Sequence, residues 1–60
     1  MRDITANPED GIGKVCRVYK QSGKIFLSKL VKIDNKYYYF EGKSGDKMIN
    51  YRETISKLEV

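Results

Sequence analysis

The sequence predicts an all-β domain in which five antiparallel strands curl into a small closed barrel, with a short 3₁₀ turn before the last strand. Three observations carry this expectation. Runs rich in β-branched and aromatic residues alternate with clusters of Gly, Asn, Asp and Ser. No segment of useful length places its apolar residues at the helical period. The chain has 60 residues, 40% of them hydrophobic, which is enough for one small core and no second domain.

The elements follow in order. Residues 1–12 read as an irregular N-terminal segment, ahead of a barrel over 13–60. Within that segment Arg2 to Thr5 is either a short edge strand or a lead-in, and Asn7-Pro8-Glu9-Asp10-Gly11 is a cluster of turn formers. Lys14 to Lys20 is the first strand, with Val15, Arg17 and Tyr19 on one face and Cys16 and Val18 on the other; the pattern leaves open which face is inward. Ser22-Gly23 supplies a turn where Gly accepts positive φ. Ile25 to Ile33 is the longest apolar run and reads as a strongly bent strand. Asp34-Asn35 turns the chain into Tyr37-Tyr38-Tyr39-Phe40, where alternation sets Tyr38 opposite its two neighbours. Gly42 to Asp46 is the next turn, and Met48 to Tyr51 the fourth strand. Arg52 to Ser56 fits a single 3₁₀ turn, and Lys57 to Val60 closes the fold. Five strands with a 3₁₀ turn before the last is the pattern of an SH3-like barrel.

Several chemistries are excluded by what the chain lacks. There is no His and only one Cys, Cys16, so neither an internal disulfide nor a Cys/His zinc site can form. Ser–His and Cys–His nucleophilic catalysis fall with the same absence, and Cys16 reads as a small buried hydrophobe. The reading is therefore a non-catalytic domain without a cofactor. No signal-peptide pattern and no membrane-length apolar stretch is present, which leads to the expectation of an intracellular protein with no membrane partner, nuclear if eukaryotic.

Charge is unevenly spread. The net charge is +4, yet Lys14 to Lys36 holds seven basic residues against the single acid Asp34. A basic hairpin of this kind points to phosphates or another polyanion. Lys20, Lys24, Lys29, Lys32 and Lys36 are the candidate phosphate contacts on DNA or RNA, and Tyr37 and Tyr39 the candidate rings for base stacking.

The first hairpin also carries a resemblance. Val15, Cys16, Arg17, Val18 and Tyr19, the turn Lys20-Gln21-Ser22-Gly23, and Lys24, Ile25, Phe26, Leu27, Ser28, Lys29 and Leu30 align without gaps on the opening hairpin of a Tudor domain. Phe40-Glu41-Gly42 resembles the end of the third Tudor strand, and Ile55 and Leu58 stand where the closing segment carries its aliphatic pair. The resemblance, over about Gly13 to Val60, implies a Tudor-type, SH3-like barrel in a chromatin or nucleic-acid-associated protein. It further implies an aromatic cage for a methylated Lys or Arg peptide, with Tyr19, Phe26 and Phe40 as walls and Asp46 as the polar partner. Such rings attract a methylated cation because it is weakly hydrated yet still charged.

The residues thus support two ligands, a methylated peptide or nucleic acid, beside a third reading as a protein–protein adaptor. Recognition of proline-rich peptides is disfavoured, since there is no Trp for an aromatic groove and no acidic cluster in the first loop.

Overall fold

A computed structural model describes all 60 residues, Met1 to Val60. The fold is all-β: strands β1 (Val15–Lys20), β2 (Ile25–Ile33), β3 (Tyr37–Glu41), β4 (Lys47–Tyr51) and β5 (Ile55–Glu59), with two short 3₁₀ turns, η1 (Pro8–Gly11) and η2 (Arg52–Thr54). All five strands belong to one antiparallel sheet in the order β4-β3-β2-β1-β5. No helix is long and apolar enough to cross a membrane.

No ladder joins β4 to β5, so hydrogen bonding leaves the sheet open where a closed ring was expected. The reason lies in the first residues of the chain. Arg2 and Val60 exchange backbone hydrogen bonds, and the Ile4 N–H donates to the Leu58 carbonyl at 2.8 Å. The outer edge of β5, which β4 would need in order to close the ring, is therefore already taken. Arg2–Thr5 is thus an edge pairing rather than a lead-in, and Ile4 is buried in the core.

The core consists of Ile4, Cys16, Val18, Leu30, Tyr38, Phe40, Ile55 and Leu58, with Phe26, Ile33 and Val60 packed against it. Cys16 and Val18 are fully buried while Val15 is exposed, which settles the inward face of β1. Burial of the Cys16 thiol raises its pKa, the state of an inert packing residue rather than a nucleophile.

Strand β2 does two jobs. Its first half pairs with β1 through Ile25 to Lys29, and its second half with β3 through Lys29 to Ile33. Phe26, Ser28 and Leu30 point inward, then the register shifts between Leu30 and Lys32. This bulge at Val31 reverses the alternation, so Ile33 faces the core and Lys32 the outside.

Turns fix the ends of the strands. Gly23 sits at φ 94° in the β1–β2 turn, a value that L side chains rarely adopt. Gly11, buried at the end of η1, leaves no room for a side chain: an added Cβ would lie 2.7 Å from Ile4 Cδ1 and 3.0 Å from Cys16 Sγ.

Candidate nucleic-acid interface

Alternation along β3 sends Tyr38 into the core and leaves Tyr37 and Tyr39 on the outer face. The β3–β4 register sets Tyr51 directly across from Tyr37, and Ile49 across from Tyr39. The three phenol rings form one cluster. Tyr37 lies 4.9 Å from Tyr51 at an interplanar angle of 36°, and 6.1 Å from Tyr39 at 60°. Because β2 bulges at Val31, Lys32 comes out on this same face, with its Nζ 5.1 Å from the centre of the Tyr39 ring. Without that bulge the cation would point toward the core.

Asp34 organises the corner beside the rings. Its carboxylate accepts the backbone N–H of Lys36 at 3.0 Å and of Tyr37 at 2.8 Å, and the Tyr39 hydroxyl at 2.6 Å. The Tyr39 hydroxyl, with the Lys36 N–H next in effect, holds the Asp34 carboxyl below its usual pKa; the same bond pushes the Tyr39 phenol up. The neighbouring Tyr51 raises Tyr37 likewise. The phenols of Tyr37 and Tyr39 are thus held in the neutral form. Arg52 braces the corner from η2: its backbone N–H donates to the Lys36 carbonyl at 2.7 Å, its Nη1 to the Asp34 carbonyl at 3.0 Å, and its guanidinium lies 5.1 Å from the Tyr38 ring centre. An open cleft of about 410 Å³ runs along this corner, lined by Asn35, Lys36, Tyr51, Arg52 and Glu53.

The candidate phosphate contacts fall into two groups. Lys20 and Lys24 flank the β1–β2 turn, and the Gln21 N–H donates to the Thr54 carbonyl at 2.7 Å, tying that turn to η2. Since η2 is in turn bonded to Lys36, the structure ties the two loops that carry Lys20, Lys24 and Lys36 to η2. Lys29 and Lys32 lie along the outer side of β2, with Lys29 between Val15 and Glu41. Ion pairs engage only Arg2, with Asp10, and Lys57, with Glu59; the other ten of the twelve basic residues make none.

The residues expected to form a methyl cage are placed differently. Phe26 and Phe40 meet edge to face at 5.7 Å, but Phe40 is only 1% exposed and is part of the core. Tyr19 is on the opposite, outer face of the sheet, where its hydroxyl donates to Glu59 Oε1 at 2.5 Å and Lys57 Nζ lies 5.1 Å from its ring centre. Asp46 sits in the β3–β4 turn, accepting the Ser44 hydroxyl at 2.7 Å. The register places that turn beside Val15, the far end of β1 from Tyr19, about 13 Å along the strand. The four side chains do not share a pocket.

Tyr51 and Arg52 are the residues of this site that the sequence pattern does not pick out. Tyr51 is 14 positions from Tyr37, and only the β3–β4 register makes them neighbours. No three Asp, Glu or Cys side chains come together as a metal site. Comparison with protein-family models, with curated proteins and with solved structures finds no match.

Proposed function

We propose that this chain is a non-catalytic binding module of SH3-like architecture that binds nucleic acid with unpaired bases on the outer face of β2, β3 and β4. The architecture is supported by the strand order, by the 3₁₀ turn before β5, and by a β2 strand that serves both halves of the sheet. The binding reading is carried by a single observation: three phenol rings, one of them 53% exposed, clustered beside Lys32 and Lys36 on a face that makes no ion pairs. Bases stack on Tyr51 and Tyr37, and the backbone runs past Lys32 and Lys36 toward Lys24 and Lys20. Base–aromatic stacking contributes about 1–3 kcal/mol per base, and each neutralised phosphate makes the affinity salt-dependent.

The test is a titration of short single-stranded DNA and RNA, with a duplex of the same sequence for comparison, at several salt concentrations. The reading expects a steep loss of affinity with salt and a preference for single strands. A dimethyl-lysine or dimethyl-arginine peptide that binds better than its unmodified twin, with no oligonucleotide binding, favours the Tudor-type reading instead.

A further inference from the structure

The two edges of the sheet are treated differently, and this leads to a partner. Arg2 to Ile4 covers β5, but nothing covers β4. Every residue of β4 except Asn50 is exposed, including Met48 on the inner side and Ile49, 61% exposed, on the outer side. A strand this apolar and this open is a template for pairing.

Its hydrogen-bonding parity is fixed. The Gly42 N–H donates to the Asp46 carbonyl at 2.8 Å, which makes Gly42 and Asp46 a bonded pair of the β3–β4 ladder. Antiparallel alternation then makes Phe40–Met48 and Tyr38–Asn50 the next bonded pairs. Lys47, Ile49 and Tyr51 therefore turn their N–H and C=O groups away from β3. Among these, only the Tyr51 carbonyl has another partner, the Thr54 hydroxyl at 2.7 Å.

We propose that β4 pairs antiparallel with β4 of a second copy of this chain, about a two-fold axis at Ile49. In that register Ile49 opposes Ile49 of the partner, Lys47 opposes Tyr51 and Met48 opposes Asn50. The three residues whose backbone groups face away from β3 on one strand then meet their counterparts on the other as bonded pairs, and every residue keeps its face of the sheet. Shifting the register by two residues leaves part of β4 unpaired. Shifting it by one opposes inner with outer side chains. Charge agrees as well: Lys47, the only ionised group of β4, stands across from a phenol ring rather than another lysine, and just beyond the strand Asp46 comes opposite Arg52. Because Arg2 to Ile4 blocks β5, β4 cannot add to the other edge of a neighbour, so the assembly closes as a dimer and does not run on into a fibre.

The experiment is sedimentation equilibrium of the full chain without nucleic acid, up to roughly millimolar concentration, a range that captures even weak association. A monomer–dimer equilibrium is expected. Ile49→Pro removes an N–H that the protein's own ladder does not use, and Ile49→Lys opposes two lysines across the axis; each is expected to weaken association about tenfold or more while circular dichroism stays that of the parent. Ile49→Cys is expected to oxidise to a covalent dimer, since a bonded cross-strand pair lies within disulfide reach, whereas Leu27→Cys, equally exposed on β2, is not. A protein that remains monomeric throughout, or a dimer indifferent to both Ile49→Pro and Ile49→Lys, overturns the proposal. Neither result bears on oligonucleotide binding, which a monomer performs equally well.

Discussion

The Tyr39 hydroxyl reaches back five residues to donate to Asp34 Oδ2 at 2.6 Å, joining one ring of the tyrosine cluster to the residue that shapes the turn. The bond holds the Asp34 carboxyl below its ordinary range, near pH 3.9 in unfolded chains. Glu59, accepting from Tyr19, and Asp3, accepting from Thr5, are lowered in the same sense. Such groups contribute their full stability above the unfolded pKa and lose it as pH falls through the folded one. Thermal midpoints measured from pH 6 downward are expected to be flat to about pH 5 and then to fall. Asp34→Asn is expected to lower the midpoint at pH 7 and to make the acid limb shallower. An acid limb as steep as the parent's removes Asp34 from the account.

Tyr51→Ala is the direct probe of the ring platform. The ring is largely exposed, so the fold is expected to persist while oligonucleotide affinity falls by about 1–3 kcal/mol. The double variant Lys32→Glu with Lys36→Glu is expected to weaken binding and to reduce the slope of log affinity against log salt by about two. Fluorescence anisotropy at three salt concentrations reads both effects, and an unchanged slope rules these lysines out as phosphate contacts.

Phe40→Ala separates packing from recognition. This ring is buried against Phe26 and Tyr38, and its loss is expected to cost about 3–5 kcal/mol, close to the whole stability of so small a domain. Chemical denaturation of the parent and variant gives the figure. A cost under about 1 kcal/mol indicates a ring free to serve a ligand.

Gly11→Ala tests the junction between η1 and the core. The new methyl group collides with Ile4 Cδ1 and crowds Cys16 Sγ, so a loss of about 1–3 kcal/mol is expected, read as a lower urea midpoint at unchanged m-value. Combining it with Ile4→Val, which frees space at that methyl, is expected to cost less than the sum of the two changes. Strict additivity would falsify the contact as the cause.

How far the sequence alone reaches can be judged residue by residue. The turns at Gly23, Asp34-Asn35 and Gly42 to Asp46 are legible because Gly, Asn and Asp tolerate conformations that other residues resist. The 3₁₀ turn before β5 is legible in a short polar run, and alternation sets Tyr38 opposite Tyr37 and Tyr39 without saying which face is inward. The inner face of β1 was ambiguous, because Val15 and Tyr19 are as apolar as Cys16 and Val18, and only Arg17 argued for the arrangement observed. The Val31 bulge left no mark, since it lies inside a continuous apolar run where either parity buries something. For that reason Lys32 could be proposed as a phosphate contact from its charge, but not placed against Tyr39. Tyr51 was invisible for a different reason: its partnership with Tyr37 is a property of the ladder and has no local signature.

The backbone pairing of Arg2 with Val60 brings the two ends of the polypeptide to a single corner. Anything fused there, whether an affinity handle, a fluorophore or a neighbouring domain, departs from the β5 edge, at the other end of the strand order from β4. Attachment to a solid support through either terminus therefore leaves the tyrosine surface and the unpaired strand accessible, and a circularly permuted chain with a short connector across that corner is expected to keep every ladder intact.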